Sequence, residues 1–239
     1  MNSKSKVHES IKLYRTADHP CSYKDEQLAA TVFVDPEMIV DQPLNSQLSD
    51  MGYRRSGAHL YRPDCDNCHA CLSCRIPVRH FELNGRFKRI WNKNKDLKIE
   101  CTEELEGSDA YALYRRYINA RHSDGDMYPA TEEQYEGFIR TNTTSTQFYK
   151  FYLEGNLVAV SVTDVLQHGL SAVYTFFDPD LARRSLGIYA ILWQIMQAQQ
   201  LELQYLFLGY WIKGCGKMQY KSAFRPLQML IDGKWLLVK

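Results

Sequence analysis

The chain has 239 residues, of which 45% are hydrophobic and 13% aromatic, and its formal net charge is +1. That length buries a real core in one large domain or two small ones, and near-neutrality excludes a protein that gathers nucleic acid by its overall field. No apolar run approaches bilayer length and the N-terminus is too polar for a signal peptide, so the expected setting is the cytoplasm, with no membrane partner.

The first segment is expected to carry little regular structure. Ala29 to Val34 reads as a short strand ending at Asp35-Pro36, and residues 43–52 as loop or a short helix. Met51-Gly52-Tyr53-Arg54-Arg55-Ser56-Gly57 is a glycine-punctuated loop, and His59-Leu60-Tyr61-Arg62 a strand leading into Cys65, Cys68, Cys71 and Cys74. Those four thiols stand at every third position and are closed by Arg75-Ile76-Pro77-Val78. A metal would supply cross-linking that a thin core cannot. The basic stretch around Asn84–Lys95 marks a boundary, giving an expected small cysteine-containing domain over 1–90 and a larger one over 91–239.

The second segment is better patterned. Leu97-Lys98-Ile99 alternates as a strand, and 109–121 carries Leu113, Tyr114, Tyr117 and Ile118 at helical spacing. Thr131-Glu132-Glu133-Gln134 has capping-box spacing and opens a helix to about Arg140. Strands follow at Gln147–Leu153, Leu157–Val165 and Leu170–Phe177, the first two joined by a turn at Glu154-Gly155-Asn156. Ser185 is the expected N-cap of an apolar helix through Leu186, Tyr189, Ala190, Trp193 and Met196. A strand Tyr205–Ile212, a break at Lys213–Lys217, a short helix near Gln219–Phe224 and strands Leu227–Ile231 and Trp235–Val238 complete the chain. The class is α+β. The element order from residue 97 resembles the GNAT-type acyltransferase fold, in which a central strand splays from its neighbour and the gap admits an acyl donor.

There are 7 cysteines. In a reducing compartment, close spacing points to metal or redox chemistry rather than disulfides. Zinc sites usually pair two C-x2-C knuckles across an insert. The run C-x2-C-x2-C is closer to an iron–sulfur ligand set whose fourth cysteine comes from elsewhere. Cys65, Cys68 and Cys71 with the distant Cys21 are the candidate ligands, with Cys74 as substitute. Zinc, an iron–sulfur cluster and reduced thiols all stay open.

Several stretches carry a family resemblance. They include Cys21-Ser22-Tyr23, Phe33-Val34-Asp35-Pro36, residues 50–57 (Asp-Met-Gly-Tyr-Arg-Arg-Ser-Gly) and Arg75-Ile76-Pro77-Val78. In the second half they include Tyr174-Thr175-Phe176-Phe177-Asp178-Pro179, Ser185-Leu186-Gly187, Leu208-Gly209-Tyr210-Trp211-Ile212 and Lys217-Met218-Gln219-Tyr220-Lys221. Together they resemble the aminoacyl-tRNA–protein transferases over nearly the whole chain. The length is similar to the short bacterial branch that carries leucine rather than to the longer eukaryotic arginine-carrying enzymes. The resemblance implies transfer of leucine from leucyl-tRNA to the α-amine of proteins beginning with Asp or Glu, which marks them for the N-degron pathway. It implies no DNA partner and no cofactor for the chemistry, a structural or regulatory zinc or iron–sulfur cluster aside.

That reaction starts from an activated ester, so alignment and charge stabilisation are its main demands. The acceptor's carboxylate needs a cation, and arginine pairs with it bidentately. Arg54 and Arg55 are the favoured residues and Arg75 a further candidate. Lys213, Lys217 and Lys221 are spaced four apart, sharing one face if helical, and with Arg183, Arg184 and Arg225 could follow the acceptor stem. Ser185 and Gly187 stand at a helix N-terminus where backbone N–H groups can hold an anionic or ester group. Tyr174, Asp178 and Tyr210 are the candidates for moving the amine's proton. Three alternatives remain: arginyl-tRNA as donor, a GNAT-type acetyltransferase, and a non-catalytic metal-stapled RNA-binding or redox module.

Overall fold

The structure, a computed structural model, describes residues 11–125, 127–140 and 145–238. The first segment holds short strands β1 (Leu13–Arg15), β2 (His19–Pro20), β3 (Leu28–Ala29) and β4 (Thr31–Val34), then helix α1 (Gln42–Asp50), β5 (Arg54–Ser56) and β6 (His59–Pro63). β1, β4, β6 and β5 form an antiparallel sheet in that order. Its small core is Val32, Val34, Leu48, Tyr53 and Leu60. Asp41 caps α1 by accepting from the Leu44 N–H.

The remaining elements are β7 (Leu72–Pro77), α2 (Gly85–Lys93), β8 (Lys98–Thr102), α3 (Ser108–Arg121), α4 (Glu132–Tyr135), β9 (Thr146–Leu153), β10 (Asn156–Val165), β11 (Gly169–Phe177), α5 (Leu186–Gln200), β12 (Tyr205–Trp211), β13 (Leu227–Ile231) and β14 (Lys234–Val238). Eight strands make one sheet in the order β14-β13-β7-β12-β11-β10-β9-β8. Alternation sends side chains to both faces. Phe148, Val160, Val162 and Phe176 pack with Leu113, Tyr114 and Ile118 of α3. Tyr149, Phe151 and Ala159 pack under Leu186, Tyr189 and Ala190 of α5. The rest of α5 seals a second core with Ile76, Leu206, Leu208 and Leu227.

Several expected elements stand where the sequence puts them. Thr131 and Gln134 form the reciprocal capping box, followed by a turn of π-helix at Glu136–Arg140. The large sheet takes one strand from before residue 90: β7 lies between β12 and β13, pairing Cys74 with Gly209 and with Met229. Two expectations need correction. Arg54 and Arg55 sit on a strand rather than a loop. Ser185 makes no side-chain cap; it adopts the left-handed conformation (φ 55°, ψ 45°) and its carbonyl accepts from Ile188 and Tyr189.

The first segment is bound to the large sheet by side chains. Ser46 Oγ accepts from the Gln167 N–H at 2.8 Å, and Gln42 donates to the Val165 carbonyl at 3.2 Å. Deeper, the Arg55 guanidinium meets Asp164 through two contacts of 2.7 and 2.8 Å, with both side chains 1% exposed. Thr146 Oγ1 donates to the same carboxylate.

Candidate active site

β11 and β12 are the one parallel pair in the large sheet, and they pair only at Gly169–Ser171 with Tyr205–Phe207. Beyond that point β11 runs on to Phe177 beside β10, and β12 to Trp211 beside β7, without pairing to each other. β12 is irregular between Phe207 and Gly209, where Gly209 takes φ +82°. A parallel pair that stops halfway leaves a wedge with unpaired backbone on both walls.

Arg54 enters this wedge from β5. Its Nη2 donates to the Ala172 carbonyl of β11 at 2.9 Å. A Cβ on Gly209 would lie 3.3 Å from Arg54 Nε, so a glycine here gives the guanidinium room. Arg54 is buried, and its Nη1 has no hydrogen-bond partner among the described residues. Burial lowers its pKa from the usual arginine value, while Tyr210, Tyr61, Cys74 and Asp164 oppose the shift; a guanidinium nevertheless stays charged. A buried charged donor left unmade is costly, so Nη1 marks where an anion belongs.

Two tyrosines lie close enough to act on its charge. Tyr61 and Tyr210 lie with ring centroids 6.1 Å apart, and Tyr210 donates to the Gly52 carbonyl at 2.8 Å. Tyr174 packs edge-on to Phe138 at 5.1 Å and Tyr117 at 6.5 Å, its hydroxyl 3.9 Å from Met127 Sδ. Burial raises the pKa of both Tyr174 and Tyr210 above the ordinary phenol value. Both are therefore phenols that donate or orient, not phenolates that take a proton. Asp178 is elsewhere: it accepts from Arg116 at 2.8 Å and from the Asp180 N–H, and lines a separate cleft of about 470 Å³ with Asp109, Arg116 and Glu154.

The expected cation sets are redistributed. Arg55 is consumed by Asp164. Arg75 pairs with Asp50 and Gln228, both at 2.8 Å, and stacks 3.6 Å over Tyr205 and 4.2 Å over Trp235. Lys213, Lys217 and Lys221 share no helical face, because residues 216–223 form 3-10 turns. Lys213 is exposed, and Lys217 pairs with Asp124 at 2.9 Å. Lys221 is buried and donates to the Tyr210 carbonyl. Burial draws its pKa down to about 8, with Cys74 and Cys215 pulling up and Arg54 pushing further down. Arg225 donates to the Val238 carbonyl.

At the start of α5, Arg184 is held in a two-pronged pair with Asp96, both contacts 2.8 Å. Arg183 is exposed, and its carbonyl receives Lys93 Nζ at 3.0 Å. This places Arg183 beside Lys93 of α2, whose exposed face also carries Arg86 and Arg89 at helical spacing. A Cβ on Gly187 would lie 3.0 Å from the Phe177 ring, so that glycine serves close packing.

Cys21, Cys65, Cys68 and Cys71 line one mainly apolar cavity of about 140 Å³ that also takes in Tyr61 and Tyr210. Burial pushes the Cys71 thiol up to about 11, and Cys65, Cys21 and Cys68 add to the rise. Four soft donors around one cavity suit zinc or iron in chemistry. Among the described residues, however, no three His, Cys, Asp or Glu side chains are gathered closely enough to hold a metal ion. Cys74 stands apart: it is fully buried on β7, its Sγ 3.2 Å from the Gly209 carbonyl.

Lys221 is the group that sequence reasoning placed on the wrong surface. Its flanking Tyr220 and Phe224 were the available signal.

Two family models match in succession: arginine-tRNA-protein transferase, N terminus, over residues 19–89, and arginine-tRNA-protein transferase, C terminus, over residues 109–231. The chain belongs to the arginine-tRNA-protein transferase family, and is an enzyme of the aminoacyl-tRNA–protein transferase class. Within that class its relatives carry a narrower name. The aspartate/glutamate leucyltransferase of Pseudomonas fluorescens is 49% identical over 228 residues, covering 95% of this chain and 97% of its own. That of Stutzerimonas stutzeri is 50% identical over 226 residues (95% and 96%), and that of Hahella chejuensis 46% over 229 residues (96% and 98%). Among solved structures, L-PGS from Bacillus licheniformis overlaps at TM-score 0.47 and 10% identity, covering 70% of this chain and 50% of its own, a likeness too distant to argue from. No helix of the described residues is long and apolar enough to cross a membrane.

Proposed function

We propose that this chain transfers leucine from leucyl-tRNA to the α-amine of proteins beginning with Asp or Glu, in the cytoplasm, and so feeds the N-degron pathway. The observation that carries this is Arg54: a buried guanidinium in the β11–β12 wedge with Nη1 unpartnered. It meets the acceptor's side-chain carboxylate, with the acceptor's α-amine beside it in the wedge. We read the wedge and the α5 crossover as a GNAT-like acyltransferase arrangement, in which the donor's 3′ end would enter between the strands. Near 50% identity to enzymes named for leucine supports leucine over arginine. An acetyl-CoA reading is weaker, since the single glycine at the start of α5 is occupied with Phe177.

The test offers labelled leucyl-tRNA, arginyl-tRNA and acetyl-CoA in parallel to an Asp-initiated peptide. Leucine incorporation alone is expected; arginine or acetyl incorporation, or none, would overturn the reading.

The donor's phosphates lie along Arg183 and the exposed face of α2. Leucyl-tRNA affinity should fall linearly in log–log against salt, and Arg183→Ala and Lys93→Ala should each flatten the slope by about 0.7–0.9. Slopes unchanged from wild type would move the tRNA elsewhere.

Cys21, Cys65, Cys68 and Cys71 would hold a zinc ion or an iron–sulfur cluster if the loop 65–71 drew them together around it, since no three of the described His, Cys, Asp or Glu side chains already stand closely enough to bind one. Such a group would supply cross-linking and no chemical step. Elemental analysis of anaerobically purified protein is expected to find zinc or iron, lost in Cys68→Ser. Neither element in the wild type would sink the assignment.

A further inference from the structure

The reaction needs a group to take a proton, and the wedge contains one that the candidate phenols are not. The acceptor's α-amine has an ordinary pKa near ~8 and arrives partly as an ammonium, which is not a nucleophile. Tyr174 and Tyr210 stay protonated, and Asp178 faces another cleft. Lys221 is buried beside the half of β12 that has parted from β11, its Nζ on the carbonyl of Tyr210, next to the Gly209 irregularity that Arg54 adjoins. Of the groups that face it, Arg54 of β5 is the cation. Cys74 of β7 and Cys215 ahead of the 3-10 turns are thiols, and the Tyr220 ring lies 5.9 Å away. No carboxylate of the described residues is among them. An amine so placed is poorly solvated, beside a fixed positive charge, and has no counter-ion among the described residues.

We propose that Lys221 is the base that takes the proton from the acceptor's α-ammonium. This rests on the transfer reaction proposed above. Neutral Lys221 accepts one proton and becomes an ammonium, leaving the acceptor nitrogen with its lone pair. That nitrogen attacks the ester carbonyl carbon. The C–N bond forms, the C–O bond to the tRNA ribose breaks, and the second proton of the attacking nitrogen goes to the departing ribose oxygen. Lys221 then releases its proton to water, so the cycle yields one amide, one free tRNA hydroxyl and one proton.

The arrangement also links the base to the choice of acceptor. Burial lowers the pKa of Lys221 and the Arg54 charge adds to the fall, so a useful fraction of the amine is neutral. An acidic acceptor side chain paired to Arg54 offsets that repulsion, so Lys221 holds the proton it takes more firmly while the acceptor is in place. An Asn-initiated peptide should therefore lose kcat as well as raise KM.

The hydrogen bond to Tyr210 could serve structure alone, so the test separates charge from basicity. Lys221→Arg keeps the cation and a donor for Tyr210 but cannot lose its proton at any working pH; Lys221→Met removes both. Single-turnover leucine transfer to an Asp-initiated peptide is expected to slow by about 100-fold or more in both variants, with leucyl-tRNA affinity kept. Transfer by Lys221→Arg within a few-fold of wild type would overturn the proposal and leave a structural cation. The acceptor's own titration overlaps the base in any rate profile. Lys221 is therefore followed directly in wild-type protein, by NMR of carbon-13-labelled lysine side chains, with the signal assigned by its absence in Lys221→Arg. A midpoint near 8 is expected; one at or above the ordinary lysine value would overturn the proposal whether or not the variants fold. If wild-type enzyme transfers no leucine at all, the functional reading has failed; if wild type transfers and Lys221→Arg matches it, only the base has.

Discussion

Asp164→Ala should destabilise the folded protein by about 3–5 kcal/mol, measured as a shift of the denaturant midpoint. The substitution leaves the Arg55 guanidinium buried at 1% exposure without its carboxylate, and an orphaned buried charge accounts for most of that loss. It also removes the acceptor for Thr146. Against a typical total stability of about 5–15 kcal/mol, a loss of that size reduces soluble yield as well. The double variant Arg55→Met with Asp164→Leu should recover most of the loss, because removing both charges removes the orphan. A loss under ~1 kcal/mol in Asp164→Ala would show that water reaches the pair and that it is not the bolt between the two sheets.

Arg54→Lys should raise KM for an Asp-initiated peptide by about 10–100-fold and leave KM for leucyl-tRNA near its wild-type value. A hydrogen bond to a charged group is worth about 1.5–3 kcal/mol, and lysine cannot reproduce the two-pronged contact of a guanidinium with a carboxylate. Lysine is the instructive replacement because it keeps a positive charge in the wedge, whereas alanine also empties space beside Gly209 and frees the Ala172 carbonyl. Wild-type preference for Asp over Asn at the acceptor's first position should shrink in the variant. If Arg54→Lys keeps both KM and that preference, Nη1 does not receive the substrate carboxylate.

Much of this architecture is readable from residue order. The alternation in 147–177, the turn at Glu154-Gly155-Asn156 and the capping box at Thr131 are local signals, and the elements they specify are present. What failed was set by distant partners. Nothing in Leu72–Pro77 says that it will lie in the middle of a sheet whose adjoining strands begin at Tyr205 and Leu227. Likewise Arg54 and Arg55 are adjacent, and strand alternation sends one to Ala172 and the other to Asp164; sequence cannot say which is free. Lys221 looked like one of three evenly spaced surface cations. The 3-10 winding of 216–223 breaks that spacing and turns it inward. Cys74 is on β7 in the core, whereas Cys65, Cys68 and Cys71 line a cavity with Cys21, a placement that the even three-residue spacing does not reveal.

The position of β7 also sets an order of events during synthesis. Its Cys74 contacts a residue 135 positions later, and β12 and β13, which flank it, are among the last elements made. The strand leaves the ribosome long before either neighbour exists, with both hydrogen-bonding edges open and with the cysteine loop just ahead of it. Pairing of such long range is slow, and exposed edges recruit wrong partners. The wedge cannot form until β12 has been made, so a nascent chain cut before it carries the Arg54 strand and the thiols but has no β11–β12 wedge to place them in.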